Sequence, residues 1–129
     1  MADIKIFNPD GLAKPPGTYS HIAQARTQQV VFIAGQVPSD ASGKTIGKGD
    51  IEAQVRRVFD NLKAIVVAAG AGLDDVVKAS VFLTDLSHFA LVNKVMAEYF
   101  REPYPARAAV GVAALPRGAQ IEVECIVAL

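Results

Sequence analysis

The sequence predicts an α+β fold, in which about six strands form a mixed sheet and two helices pack on one face of it. Two observations support this prediction: two segments carry apolar residues at helical spacing, and short apolar or β-branched runs surround them. The predicted order is β-β-(β)-α-β-α-β-β, a pattern typical of a sheet covered on one side by helices. We expect a single domain that spans residues 1–129.

The clearest predicted element is a helix over residues 50–69. Asp50 can cap its first turn, and Gly70 can adopt the left-handed conformation that ends it. A second helix is expected from a Ser87 cap to about residue 100, because prolines follow and prevent its continuation. The stripe of the first helix recurs at spacings of three and four and consists of Ile51, Val55, Val58, Leu62, Ile65 and Ala69.

Strands are expected where short apolar runs lie between turn residues. The segment 38–49 is rich in serine, glycine and aspartate, so it is predicted to be a loop that could contain a short hairpin arm. In a two-layer domain the sheet face away from the helices must be polar or must meet another subunit, which predicts an oligomer. The expected strands cover residues 18–25, 29–34, 76–84, 107–113 and 121–128.

Composition argues against several classes of function. Basic and acidic residues balance at 13 each, so there is no net positive charge for a nucleic-acid partner. One cysteine and two histidines predict neither a disulfide nor a metal site, and no glycine-rich phosphate motif is present. No apolar signal segment begins the sequence, and its longest apolar run is too short for a bilayer, so we expect a cytoplasmic protein without a membrane partner.

Arg107 is the first candidate functional residue, because it begins an otherwise apolar strand. A guanidinium in such a place needs an anionic partner, since an unpaired buried charge is costly. Local sequence favours an ion pair within the protein or at an interface. The alternative is a substrate carboxylate, which the planar fork of arginine can bind with two hydrogen bonds.

The last strand supplies the candidate acidic residues. Alternation with a period of two places Glu122 and Glu124 on one face and Cys125, as a small buried hydrophobe, on the other. Either glutamate could pair with Arg107 or hold a water, although a solvated outer face is the default interpretation. A simple hairpin of the last two strands would place Arg107 nearer residue 127 than Glu122.

Several motifs together resemble the RidA/YjgF family of reactive intermediate deaminases. Residues 105–107 (Pro-Ala-Arg) and 115–124 (Leu-Pro-Arg-Gly-Ala-Gln-Ile-Glu-Val-Glu) resemble its signature. Residues 17–20 (Gly-Thr-Tyr-Ser) resemble its Gly-Pro-Tyr-Ser, and residues 89–93 its Phe-x-x-Val-Asn. Residues 32–38 resemble its Ser-Gly-Gln-x-Pro strand end, and the likeness runs in order through nearly the whole chain.

The resemblance implies a chorismate-mutase-like (YjgF-like) fold and a homotrimer with ligand sites in clefts between subunits. Arg107 would grip the carboxylate of a 2-imino or 2-enamino acid of the 2-aminoacrylate type, and Glu122 would position or activate water. The products would be ammonia and a 2-oxo acid, as for a 2-iminobutanoate/2-iminopropanoate deaminase. Tyr19, Gly35 and Asn93 would line the pocket, and no metal or cofactor would be needed.

Two departures from the family pattern affect the expected pocket. Ala34 stands where many deaminase members have serine, and Ala109 where many have cysteine, so the pocket should be more apolar. Three other functions stay open at this point. They are a pathway-specific deaminase of the aminomuconate type, a non-enzymatic module that binds small 2-oxo acids, and, against the neutral charge, an endoribonuclease or translation inhibitor.

Overall fold

The computed structural model describes residues 2–129 and confirms the predicted α+β class. The described residues form six strands, two helices and three short 3₁₀ turns. In chain order the elements are β1 (Asp3–Phe7), β2 (Ile22–Arg26), β3 (Val30–Gln36), α1 (Ile51–Ala68), β4 (Val76–Leu83), α2 (Phe89–Tyr99), β5 (Ala106–Gly111) and β6 (Ile121–Ala128).

The six strands form two hydrogen-bonded sheets. The larger sheet is mixed and has the order β3-β6-β4-β5. In it β6 lies antiparallel to β3 and β4, whereas β4 and β5 are parallel, because α2 carries the chain back along the sheet between them. The strands β1 and β2 pair with each other, and an isolated bridge between Ser20 and Ala106 links this ribbon to the edge at β5.

Two expectations about the strands are wrong in detail. The last two strands do not form a hairpin, because β4 lies between them. The hairpin arm considered within residues 38–49 is reduced to an isolated bridge between Ser39 and Thr45. The sixth strand is instead β1, which comes from the N-terminal segment and pairs with β2. Strand pairing is non-local, so short apolar runs alone do not reveal it.

The helix boundaries follow from their capping residues. Asp50 accepts a hydrogen bond from the Ala53 N–H at 3.1 Å, and Gly70 follows α1 with a φ of +84°, as the sequence predicts. The predicted Ser87 cap is wrong. Asp85 caps the 3₁₀ turn by accepting from the Ser87 N–H at 2.9 Å, and α2 begins only at Phe89.

The hydrophobic core lies between the two helices and one face of the larger sheet. The alternation of β6 is confirmed by burial, including that of Cys125, and Val55, Val58 and Leu62 of the predicted α1 stripe are buried. The ends of that stripe are only partly buried, and Phe59 and Val66 are buried outside it. The core consists mainly of Val55, Val58, Phe59, Leu62, Val66, Val81, Leu83, Val92, Val95, Met96, Ile121, Val123 and Val127. No helix within residues 2–129 is long and apolar enough to cross a membrane.

The opposite sheet face carries large apolar side chains in contact with solvent. Phe32 is 75% exposed, Val30 48% and Val110 44%, and Glu122 and Glu124 lie on the same face. We call this surface the outer face. Contiguous exposed apolar groups of this kind are typical of surfaces that meet another protein.

Candidate active site

Arg107 lies on the edge strand β5 and its side chain extends toward the helices. Its guanidinium is partly buried, and Nη1 donates hydrogen bonds to Thr18 Oγ1 at 3.0 Å and to Asn93 Oδ1 at 2.8 Å. The Met96 sulfur lies 3.6 Å from the same nitrogen. Nη1 is therefore fully engaged by the protein, and the orientation of the guanidinium is fixed from one side.

Two aromatic rings hold the Arg107 guanidinium. Its Cζ lies 4.8 Å from the centroid of the Tyr19 ring and 5.0 Å from that of Phe89, distances at which a cation is attracted to the faces of rings. Burial lowers the pKa of Arg107 below its usual value, while Tyr19 acts in the opposite direction. Arginine remains charged despite such a shift, so the site is a partly desolvated cation.

Within residues 2–129, no carboxylate lies within ion-pairing distance of Arg107. The ion pairs that form involve Arg56, Arg101 and His88 instead. The internal ion pair that local sequence favoured for Arg107 is therefore wrong for this part of the chain. Its Nε and Nη2 donors have no acceptor among the described residues, and together they offer an edge suited to a carboxylate.

Asn93 connects the loop that precedes β2 to the arginine. Its Oδ1 accepts from Thr18 N at 3.3 Å and Thr18 Oγ1 at 3.2 Å, besides Arg107. The carboxamide lies so close to Gly17 that a Cβ there would come within 2.7 Å of Oδ1. The absence of a side chain at Gly17 is what lets the loop and α2 meet.

Glu122 lies on the outer face of β6, beside β3. Its carboxylate rests against the backbone of Gly35, where a Cβ would collide with Oε2 and come within 2.9 Å of Cδ. Ala34, the preceding residue, is exposed on the same edge. The absence of a side chain at Gly35 leaves room for the Glu122 carboxylate, and Glu122 is partly exposed.

Arg107 and Glu122 do not meet within one chain. Arg107 is level with Ala79 and Cys125 on the neighbouring strands, whereas Glu122 is level with Phe82. The two residues are thus two strands and three residue positions apart, about 10 Å in each direction, and their side chains leave opposite faces of the sheet. Proximity within one chain, which the sequence left open, is excluded by this register.

The predicted site residues therefore form two groups. The arginine half-site contains the residues around the guanidinium, with Ala109 next on the same strand face and packed against the core. The glutamate half-site lies on the outer face. Contacts define the members of the first as Thr18, Tyr19, Phe89, Asn93 and Arg107, and those of the second as Gly35 and Glu122. Ala109 and Ala34 adjoin the two half-sites by strand position only.

Sequence reasoning missed two members of the arginine half-site, Thr18 and Phe89. Both lie inside motifs that carried the resemblance, next to Tyr19 and at the start of the Phe-x-x-Val-Asn segment. The family pattern has proline at the position of Thr18, and this difference is the sequence feature that could have identified Thr18 as a site residue. Their contact with Arg107 joins segments far apart in the chain, so spacing could not reveal it.

A groove of about 800 Å³ adjoins the arginine half-site through Gly17 and Tyr19. It runs between the end of β1 and the segment before β5, and its lining is mixed in polarity. The apolar part includes Leu12 and Tyr104, and Lys14 adds a cation. The described residues contain no cluster of histidine, cysteine, aspartate or glutamate that could hold a metal ion.

The fold and the two half-sites define a class: a small α+β domain that presents a desolvated arginine at one sheet edge and a carboxylate on the outer face. Residues 12–129 match the family described as Endoribonuclease L-PSP, and the chain belongs to this family, known as RidA/YjgF.

Known relatives agree with this assignment. A RutC family protein of Pyrococcus horikoshii is 50% identical over 122 residues, which is 95% of each chain. A 2-iminobutanoate/2-iminopropanoate deaminase of Dermatophagoides farinae is 36% identical over 129 residues, covering 100% of this chain and 99% of the relative. The crystal structure of RidA from an Antarctic Psychrobacter is 43% identical, with a TM-score of 0.74 over 97% of this chain and 99% of that one.

Proposed function

We propose that the protein is a cofactor-free deaminase that hydrolyses small 2-imino or 2-enamino acids to 2-oxo acids and ammonia. The observation that carries this proposal is Arg107, a desolvated cation with an open donor edge and no internal carboxylate. The relative named as a 2-iminobutanoate/2-iminopropanoate deaminase supports the same substrate class.

The arginine half-site supplies binding and orientation. Nε and Nη2 would donate two parallel hydrogen bonds to the substrate carboxylate, a pairing that fixes its plane as well as its position. Partial exclusion of water by Tyr19 and Phe89 strengthens this attraction. The C=N carbon, which is bonded to the carboxylate carbon, is thereby held at a defined distance from Arg107.

The chemical step needs one water and no redox partner. Glu122 would accept a proton from a water as its oxygen bonds to the C=N carbon, giving a tetrahedral amino alcohol. Glu122 then returns the proton to the nitrogen, the C–N bond breaks with its electron pair going to the nitrogen, and ammonia leaves. Glu122 would take the hydroxyl proton as the remaining C–O becomes the carbonyl. A protonated imine is already electrophilic, so orientation and a placed water are sufficient equipment.

Because Glu122 and Arg107 diverge within one chain, we propose that the site is completed by a neighbouring copy. The exposed apolar groups of the outer face, Val30, Phe32 and Val110, favour burial of that face against such a copy. The family resemblance implies a homotrimer, in which each cleft would join the arginine half-site of one subunit to the glutamate half-site of the next.

The first prediction concerns Arg107→Ala. Imines would be generated from amino acids by an oxidase, and release of ammonia and 2-oxo acid would be followed. We expect kcat/KM to fall about 100-fold, because the two charge-assisted hydrogen bonds to the carboxylate would together contribute about 3 kcal/mol. Arg107→Lys keeps the charge but loses the fork, so its activity should lie in between.

Arg26→Ala is the matched control, since Arg26 is exposed on β2 and its loss should leave hydrolysis unchanged. Equal rates for wild type and Arg107→Ala would refute the proposal.

A non-enzymatic module that binds small 2-oxo acids is the second candidate. It is favoured because a single chain contains the whole arginine half-site while Glu122 lies away from it. Calorimetric binding of 2-oxobutanoate that needs Arg107, without any acceleration of imine hydrolysis by the assembled protein, would identify that function.

A further inference from the structure

We propose that Thr18 is a positioning residue, which holds Nη1 of Arg107 so that the Nε–Nη2 edge faces the substrate carboxylate. This inference rests on the proposed function of Arg107 as the carboxylate-binding residue. Thr18 is 8% exposed, and its backbone and hydroxyl both take part in the arginine half-site.

The direction of each hydrogen bond around Thr18 follows from donor chemistry. Nη1 of Arg107 can only donate hydrogen bonds, so Thr18 Oγ1 must be the acceptor at 3.0 Å. The hydroxyl proton is then free to be donated to Asn93 Oδ1, 3.2 Å away. Asn93 Oδ1 also accepts from Nη1 at 2.8 Å. Arg107, Thr18 and Asn93 thus form a closed ring of three hydrogen bonds, and the donor and acceptor of each bond are determined.

This ring of hydrogen bonds determines which guanidinium protons remain available to a ligand. Both hydrogens of Nη1 have oxygen acceptors in the protein, so a ligand is left with the adjacent edge formed by Nε and Nη2. Without the Thr18 hydroxyl, Nη1 would keep a single oxygen acceptor. The guanidinium could then rotate beside the rings of Tyr19 and Phe89 and present a different edge to the substrate.

Thr18 also adjoins one of the two rings that contact Arg107. Its backbone N–H donates to Asn93 Oδ1 at 3.3 Å, and the next residue is Tyr19, whose ring covers Arg107. A hydroxyl-bearing side chain at this position therefore couples the orientation of the cation to the placement of the ring. The hydroxyl and the backbone amide can be separated by substitution, because the amide is unchanged in any non-proline variant.

The test compares Thr18→Val, which keeps the shape and removes the hydroxyl, with Thr18→Ser, which keeps the hydroxyl. Kinetics with the imine of 2-aminobutanoate and calorimetric binding of 2-oxobutanoate are the measurements. We expect the valine variant to raise KM and Kd about tenfold with kcat changed little, since binding to Arg107 is the same in ground and transition states. The serine variant should remain within about twofold of wild type.

A ligand-free readout accompanies these assays. In protein labelled with ¹⁵N-arginine, the Arg107 side-chain signals are assigned by their loss in Arg107→Lys. Separate, slowly rotating Nη signals are expected in wild type and Thr18→Ser, and averaged ones in Thr18→Val. A merely structural role would lower the folded fraction or kcat, and leave the KM and the rotation of the guanidinium unchanged.

Two results would overturn the inference: wild-type KM, Kd and rotation in Thr18→Val, or a serine variant as impaired as the valine variant. If wild type neither hydrolyses the imine nor binds 2-oxobutanoate, the proposed function fails. The Arg107 signals still decide whether Thr18 orients the guanidinium.

Discussion

At the scale of single residues, two glycines determine how closely a polar side chain approaches the backbone. A Cβ at Gly17 would meet the carboxamide of Asn93, and one at Gly35 would meet the carboxylate of Glu122. In both cases the obstructed atoms belong to the end of a flexible side chain. The fold can therefore accommodate a methyl group by moving that side chain, and what would be lost is its position.

The expected consequence of Gly35→Ala is a loss of activity without a loss of stability. Displacement of the Glu122 carboxylate should lower kcat about tenfold or more, the range of effects seen when a general base is misplaced. The free energy of unfolding should change by less than about 1 kcal/mol. Urea denaturation and imine hydrolysis measure the two quantities.

Gly72→Ala is the control for this substitution, because a Cβ there meets nothing closer than 4.0 Å. It should change neither kcat nor the free energy of unfolding by much. Wild-type kcat in a correctly folded Gly35→Ala protein would argue against a role for Glu122.

Single residues also mark where sequence reasoning succeeds and where it stops. Arg107 is conspicuous because a charge begins an apolar strand, and Glu122 follows from the alternation of β6. The partners of Arg107 are not visible in this way. Thr18 and Phe89 reach it from a loop and from the first turn of a helix, and only the tertiary fold brings them together.

At the scale of elements, Gln54 joins α1 to the segment that leads into β6. It is 1% exposed, and its amide donates to Gly47 O at 3.0 Å and to Gln120 Oε1 at 3.1 Å. Its Oε1 accepts from the Gln120 N–H at 2.9 Å. Because Gln120 immediately precedes β6, this buried amide helps to set where the strand that carries Glu122 begins.

We predict that Gln54→Leu destabilises the protein by about 2–4 kcal/mol, since it leaves buried donors and acceptors without partners. The midpoint of urea denaturation measures the effect. Lys63→Leu is the matched control on the exposed side of α1 and should change stability by about 0.5 kcal/mol or less. Equal stability of Gln54→Leu and wild type would show that water replaces the lost amide contacts.

Helices were predictable here because their signals are local. The stripe and caps of α1 lie within residues 50–70, and the structure confirms the caps and the burial of the middle of the stripe. The order of the strands was not predictable, because β4 inserts between β5 and β6 through contacts with residues distant in sequence. The same reason explains the missed strand β1, which pairs with β2.

At the scale of the whole molecule, the two half-sites lie on opposite faces and near opposite edges of the larger sheet. The arginine half-site is on the edge strand β5, and the glutamate half-site spans β3 and β6. In a ring of identical copies, each arginine half-site would face the glutamate half-site of the next copy. A complete site would thus need one intact residue from each of two chains.

This arrangement predicts complementation between two inactive variants. Arg107→Ala and Glu122→Gln would each be inactive alone, but co-refolding in equal amounts should restore about one quarter of the wild-type sites, namely those that combine the two intact half-sites. Imine hydrolysis before and after co-refolding measures the recovery. A mixture as inactive as its components would show that neighbouring copies do not share sites.

The separation of the half-sites also makes the expected activity depend on the protein concentration. In the proposed assembly a lone chain carries an anion-binding arginine but lacks the carboxylate beside it, so it could hold a 2-imino acid without converting it. Above the concentration at which copies associate, the same chain would turn its ligand over. The amount of protein that a cell makes would then determine the kind of activity it has, as well as the quantity of it.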